Sequence, residues 1–200
     1  VLSRLDDALR LRLEEERPAF DLGCLGPDPL FFYRPFQPNR VRREGMTMHA
    51  QSAMPVFRRL RRGVAEGRPM AWGYAAGFLC HLALDSACHG YVDDRAADGP
   101  ISHMAIEGEY DRMLMERDGL NAAEQSPLPS APANRAVWEA ASQAFVHASP
   151  DQMRRAYRSM AFFSGFLARS NGRMTGKVIG AVSHMLPIPS AKGIALKETP

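Results

Sequence analysis

The most apolar stretch of the chain runs from Met70 to Tyr91 and reads MAWGYAAGFLCHLALDSACHGY. Polar residues recur within it at intervals of four, as His81, Asp85 and His89. A run with no polar face predicts a helix buried in the middle of an all-helical domain. At about 100° per residue, the three side chains form one polar stripe on that helix. A buried carboxylate between two imidazoles is costly unless a cation compensates it, so the stripe indicates a divalent metal.

Hydrophobic periodicity and capping signals predict about seven helices and leave little sequence for strands. The expected helices span residues 1–17, 47–62, 70–91, 101–117, 135–148, 151–169 and 171–186. Pro18 should end the first of them, and Thr47 is a plausible N-cap of the second. We expect an irregular segment over residues 20–38, loops over 90–100 and 118–134, and a tail over 187–200. The predicted fold class is therefore all-α, a single-domain multi-helix bundle over residues 1–200.

Composition adds mild constraints on compartment and partners. The formal net charge is +3, and only three of the 25 basic residues are lysine. Arginine favours bidentate contact with phosphate or carboxylate, although genomic base composition also raises its frequency. Three cysteines without C-x-x-C spacing indicate neither a disulfide framework nor a thiolate zinc site. We expect a cytoplasmic protein rather than a secreted one, with no transmembrane segment, because His and Asp interrupt the apolar run.

A second row of polar side chains follows on the next predicted helix. His103, Glu107 and Asp111 are again four residues apart. A lone histidine on an apolar helix is more often a satisfied core residue, and we interpret His147 and His184 in that way. Two His-x-x-x-carboxylate pairs in consecutive apolar helices are much less expected by chance.

Two further candidate ligands precede the central helix. Asp28 lies in a Gly-Pro-Asp-Pro turn, where the simple alternative is a turn carboxylate that accepts a hydrogen bond from its own backbone. His49 belongs to the first turn of the helix predicted over residues 47–62. With five residues of the two helical rows, they complete a set of seven residues of types that bind zinc or a similar ion. The five are His81, Asp85, His89, His103 and Glu107.

Helix geometry indicates more than one ion. His81 and His89 are roughly 12 Å apart along a helix axis, too far to share one ion comfortably. One group would then contain His81 and Asp85 together with Asp28 and His49. The other group would contain His89, His103 and Glu107.

The series Gly26-Pro27-Asp28, His49, His81-x3-Asp85, His89 and His103-x3-Glu107 resembles the ligands of the bacterial zinc-dependent phospholipase C family. Single-strand-specific zinc nucleases share that family's fold. The resemblance covers roughly residues 20–115. It implies a helical bundle with a zinc cluster in a cleft. It also implies hydrolysis of phospholipid headgroup phosphodiesters by a zinc-bound hydroxide, with Asp28 also a candidate general base.

The sequence departs from the family pattern in two places. The interval from Asp85 to His89 is shorter than in the well-known secreted members. The family's third zinc uses the amino-terminal residue and a nearby histidine, whereas residues 1–48 contain no histidine. We therefore expect two zinc ions from the residues present, and a third only if residues upstream of Val1 supply its ligands.

Substrate and partners are less constrained by the sequence. The alternatives are a nuclease or nucleotidase on the same scaffold and a non-catalytic metal- or lipid-binding helical protein. A histidine/aspartate phosphohydrolase is disfavoured because the chain has no adjacent His-Asp pair. An aromatic group after Asp28 would contact a choline headgroup, stack on a base or simply pack in the core. That group is Phe31, Phe32, Tyr33 and Phe36. Arg40, Arg42 and Arg43 suit an anionic lipid and a nucleic acid equally. Peripheral contact with a membrane surface is therefore one expectation. The sequence indicates no specific protein partner.

Overall fold

The computed structural model describes residues 4–49, 51–97, 103–121 and 128–169, and no strand occurs among them. The all-α fold class is thus confirmed. The described helices are α1 (Asp7–Glu15), α2 (Arg17–Gly23), a 3-10 helix (Asp28–Phe32), α3 (Arg40–Met48), α4 (Met54–Ala65), α5 (Ala71–Ala97), α6 (His103–Arg117), α7 (Arg135–Ser142) and α8 (Pro150–Arg169). The helix expected over residues 171–186 lies outside the described residues. None of the described helices is both long and apolar enough to cross a bilayer.

The first helical segment is two helices rather than one. Asp6 caps α1 by accepting a hydrogen bond from the Leu9 amide at 2.9 Å. Pro18 lies in the first turn of α2, where a missing N–H costs nothing. The prediction that residues 20–38 are irregular is therefore wrong for residues 20–23, because Pro18 begins a helix as well as ending one.

Residues 40–65 also form two helices where the sequence predicted one beginning at Thr47. Asn39 is the N-cap of α3 and accepts a hydrogen bond from the Arg42 amide at 2.9 Å. The Thr47 hydroxyl instead donates to the carbonyl of Arg43, one turn earlier in α3, at 3.0 Å. The Thr47 N-cap prediction is wrong, because a threonine hydroxyl inside a helix is satisfied equally well by the preceding turn.

The central helix α5 is longer and more exposed than predicted. It continues to Ala97, through most of the expected loop. Tyr74 and Phe78 are buried, but Leu79 and Leu84 are 55% and 63% exposed. The expectation of a helix without a solvent face is therefore wrong. Small residues occupy part of the buried face, so apolar character alone does not distinguish the two faces.

The chain packs as two compact units, Val1–Leu84 with Pro129–Met160 and Asp85–Leu128 with Ala161–Pro200. A single domain over residues 1–200 stays a prediction. In the first unit, α2 and α5 meet backbone to backbone. A Cβ added to Gly23 would lie 3.0 Å from the Phe78 amide nitrogen, and one added to Gly77 would lie 2.9 Å from the Cys24 amide nitrogen. Glycine at both positions lets the helices approach this closely.

The remaining core of the first unit is built on α7 and α8. Trp138 and Tyr157 are buried, with ring centroids 5.7 Å apart. The predicted capping box of α8 is confirmed. The Ser149 amide donates to Gln152 at 2.9 Å, and the Gln152 amide donates back to the Ser149 hydroxyl at 3.3 Å.

The second unit contains the end of α5, all of α6 and the end of α8. On α6, Arg112 bridges the carboxylates of Glu109 and Glu116. On α8, the rings of Phe162 and Phe163 lie 5.5 Å apart. The helices here therefore carry local pairs of both ionic and aromatic kinds.

Candidate metal centre

Asp28 is positioned by a tight turn between α2 and the 3-10 helix. Gly26 has φ +53°, a value that costs little only for glycine. Pro27 and Pro29 restrict the backbone on either side of the aspartate. Leu30 is fully buried and anchors the turn, while the Asp28 side chain stays 36% exposed. The Gly-Pro-Asp-Pro sequence therefore directs one carboxylate outwards from a rigid segment.

His49 is the C-cap of α3, where the helix passes over the 3-10 helix. The two elements approach closely at Gly45, because a Cβ there would lie 2.7 Å from the Cβ of Leu30. The imidazole of His49 rests beside the ring of Phe31, with centroids 5.2 Å apart. This packing brings His49 Nε2 to 3.2 Å from Asp28 Oδ1.

His81 reaches the same place from α5. Its ring lies against the Cα of Gly26, since a Cβ built there would fall 2.5 Å from His81 Nε2. The ring of Phe78 supports it on another side, with centroids 6.1 Å apart. The His81 and His49 rings are nearly perpendicular, at 85°, with centroids 6.3 Å apart.

Asp28, His49 and His81 together offer three donor atoms that all lie within 4.8 Å of one another. One point therefore lies no more than about 2.8 Å from all three, which small side-chain rotations reduce to zinc bonds of about 2.0–2.2 Å. In the part of the chain that the structure describes, this is the one group of three or more such donors close enough to share an ion. The residues present therefore fit a zinc ion.

The hydrogen bonding of His49 orients it as a ligand. Its Nδ1 lies 3.1 Å from the carbonyl oxygen of Gly45. A carbonyl only accepts, so Nδ1 carries the proton in that contact, and in the neutral ring Nε2 keeps its lone pair. Nε2 is the atom that faces Asp28. A backbone carbonyl that holds the far nitrogen in this way is a common support for a metal-binding histidine.

The other four predicted ligands lie in the second unit. Asp85 and His89 are one turn apart on α5, with Oδ1 and Nδ1 3.0 Å from each other. Glu107 lies on α6 with an exposed side chain. His103 begins α6, and its side chain is outside the described residues. A second ion bound by His89, His103 and Glu107 stays a prediction.

Three supporting residues were missed by the sequence reasoning: Gly26, Gly45 and Phe31. Gly26 was recognised as a turn residue, but not as the surface on which His81 rests. Gly45 is four residues before His49, the spacing at which a helix carbonyl approaches a later side chain, and this spacing was the available signal. Phe31 has no such signal, because its contact with His49 depends on how α3 packs.

A cysteine lies close to this centre. Cys24 is the C-cap of α2, two residues before Gly26. Burial, with the Cys80 thiol as a second cause, raises the pKa of the Cys24 thiol to about 12. In the metal-free protein Cys24 is therefore a neutral thiol at physiological pH.

Comparison with known protein families gives one match. The sequence model of the family described as zinc-dependent phospholipase C matches residues 1–166 of the chain. No curated protein and no solved structure shows significant similarity to it. The matched range covers the positions of all seven predicted ligands, and the family supports a zinc-dependent hydrolase of the phospholipase C kind. The chain belongs to the zinc-dependent phospholipase C family.

Proposed function

We propose that the protein hydrolyses the phosphodiester bond between the glycerol and the headgroup phosphate of a phospholipid. The observation that carries this proposal is the cluster of Asp28, His49 and His81 in a chain of the zinc-dependent phospholipase C family. In the reaction, a water oxygen bonds to phosphorus and the bond from phosphorus to the glycerol oxygen breaks. The products are a diacylglycerol, which takes up a proton, and a phosphorylated headgroup.

Each residue of the cluster has a distinct role in the proposal. His49 and His81 hold the ion, and Asp28 is both a ligand and the acceptor of the proton that the attacking water loses. Zinc, when bound, lowers the pKa of a coordinated water to about 7 and offsets the negative charge of the phosphodiester. The Asp28 and His49 side chains are 36% and 25% exposed, so a phosphate in solution can reach them.

A second ion is proposed at His89, His103 and Glu107, with Asp85 as a further ligand of the first ion. Asp85 Oδ1 lies 3.0 Å from His89 Nδ1, so this turn of α5 brings together a carboxylate and an imidazole, two side chains of types that bind zinc. If the two groups bind separate ions, His81→Ala and Glu107→Ala should each lose part of the bound zinc. Complete loss of zinc in both variants would indicate a single shared site.

The test compares zinc-loaded wild-type protein with His81→Ala and with a matched control, His147→Ala. His147 belongs to the same unit and stands outside the cluster. Its side chain is exposed, so the interpretation of His147 as a core histidine is wrong, while His184 lies outside the described residues. We expect the wild type and the control to release phosphocholine from phosphatidylcholine. We expect His81→Ala to be slower by at least about 100-fold, since it lacks a ligand of the ion that supplies the chemistry.

Three results would contradict the proposal. The first is a zinc-loaded wild type that hydrolyses no phosphatidylcholine. The second is cleavage of single-stranded DNA alone, which would assign the scaffold to a nuclease. The third is an unchanged rate in His81→Ala with the fold intact by circular dichroism.

A further inference from the structure

Helix α4 has a strongly basic exposed face. Its twelve residues include four arginines and no acidic residue. Val56, Leu60 and Gly63 are buried. The exposed positions fall within roughly 120° of the helix surface, opposite the buried ones. They are Met54, Pro55, Arg58, Arg61, Arg62 and Ala65. We call Met54, Arg58, Arg61 and Arg62 the α4 basic face.

The arginines of this face are not used inside the protein. Arg59, on the flank of the helix, donates from Nε and Nη2 to the carbonyl of Ala144 at 3.1 and 2.6 Å. Arg58, Arg61 and Arg62 form no ion pair among the described residues. The acidic residue that follows the helix, Glu66, pairs with Arg68 at 2.7 Å. Three positive charges therefore stay uncompensated side by side.

The helix dipole accounts for only part of this pattern. Cations are favoured in the last turn of a helix, which holds Arg62. Arg58 is a full turn earlier, where the dipole effect has faded, and yet it continues the same face. Met54, 57% exposed, begins the face with an apolar side chain. A row of cationic side chains with one apolar side chain suits the surface of a bilayer, where negatively charged headgroups lie over the hydrocarbon core.

We propose that the α4 basic face docks the protein on the surface of bilayers that contain anionic phospholipid. Each arginine lays its aliphatic stem along the surface while its guanidinium binds lipid phosphate. The choice of a lipid surface rests on the proposed function. It also agrees with the face itself, which has no aromatic side chain on which a nucleic-acid base would stack.

The experiment measures binding to vesicles by sedimentation, with the protein kept zinc-free by a chelator so that no lipid is consumed. Vesicles of phosphatidylcholine with and without phosphatidylglycerol are compared at low and high salt. The test variant is Arg58→Gln/Arg61→Gln/Arg62→Gln. A control with the same change in net charge is Arg10→Gln/Arg117→Gln/Arg135→Gln. Each control arginine is exposed and already paired, with Asp7, Asp118 and Glu139 respectively.

We expect binding that requires phosphatidylglycerol and falls as salt rises. Each arginine near an anionic surface is worth about fivefold in affinity, so the test variant should bind on the order of 100-fold more weakly. The control should bind within about threefold of the wild type, because each of its arginines is already compensated by a paired carboxylate. Thermal unfolding shows that each variant is folded at the assay temperature.

Several outcomes would overturn the docking proposal. An equal loss of vesicle affinity in both triple variants would show that binding depends only on the net charge of the protein. Binding to single-stranded DNA without binding to vesicles would assign the face to nucleic acid. Equal binding of the wild type to vesicles with and without phosphatidylglycerol would also refute the docking proposal.

A separate assay tests the proposed function. A soluble short-chain phosphatidylcholine, below its micelle concentration, needs no docking surface. If zinc-loaded wild type fails to hydrolyse it, the proposed function fails whatever the vesicles show. If both triple variants hydrolyse it like the wild type and bind vesicles equally, only the docking proposal fails.

Discussion

Replacing Gly26 by alanine tests whether the turn before Asp28 positions His81. Gly26 has φ +53°, so a side chain there costs about 1–2 kcal/mol in backbone strain. The new Cβ would also lie 2.5 Å from His81 Cγ and Nε2. The Cδ2 atom of the ring would be nearer still, so the ring must recede by more than about 0.9 Å to reach an ordinary contact of 3.4 Å. Metal bonds tolerate changes of only about 0.2 Å. We expect zinc affinity to fall by at least about tenfold.

Gly67→Ala is the matched control for this change. Gly67 has φ +63°, nearly the same strain, but a Cβ there would meet nothing within 4 Å. Stability of the zinc-free protein, from urea unfolding, should fall in both variants. Zinc affinity, from competition with a chromogenic chelator, should fall only in Gly26→Ala. An unchanged affinity in Gly26→Ala would show that His81 does not bind the ion or is held by other contacts.

Four further predictions concern the interior of the first unit. Tyr74 is fully buried and its hydroxyl has no hydrogen-bond partner among the residues that the structure describes, so Tyr74→Phe should raise the free energy of unfolding by about 1 kcal/mol. Tyr157→Phe loses a hydroxyl that donates to a backbone carbonyl, so it should lower the free energy of unfolding by about 1 kcal/mol. A change in the same direction for both variants in urea unfolding would contradict these two predictions. Burial raises the pKa of Cys24 to about 12. Iodoacetamide at pH 8 should therefore modify Cys24 at least about tenfold more slowly in the folded protein than in the urea-unfolded protein. Peptide mass spectrometry measures the two rates. Gly77→Ala would place a Cβ against the Phe20 carbonyl oxygen, so it should lower the free energy of unfolding by about 2–3 kcal/mol. Gly67→Ala should lower it by less. Similar losses of stability in the two variants would show that α2 can shift away from α5.

The order of metal-competent residues could be predicted from the sequence because side-chain chemistry and spacing are local. Residues four apart on a helix lie on the same face. Asp85 and His89 have this spacing, and Asp85 Oδ1 does lie 3.0 Å from His89 Nδ1. The all-α class followed in the same way from periodicity. What brings Asp28 to His49 is not local, since it depends on α3 lying against the 3-10 helix.

The errors have physical reasons of the same kind. Pro18 and Thr47 each suit more than one place in a helix, and tertiary packing decides between them. The exposure of Leu79 and Leu84 could not be predicted, because an apolar helix gives no sign of how much of it neighbouring helices cover. The role of Gly26 under His81 is a contact between elements far apart in sequence, which no pattern within one element can show.

The central claim is that Asp28, His49 and His81 hold one zinc ion. The most direct measurement is the zinc content per chain, after equilibrium dialysis, of the wild type and of His49→Ala/His81→Ala. We predict that the double variant stays folded and contains one zinc fewer per chain than the wild type. Equal zinc content in the two proteins, or a wild type that binds no zinc, would contradict the claim.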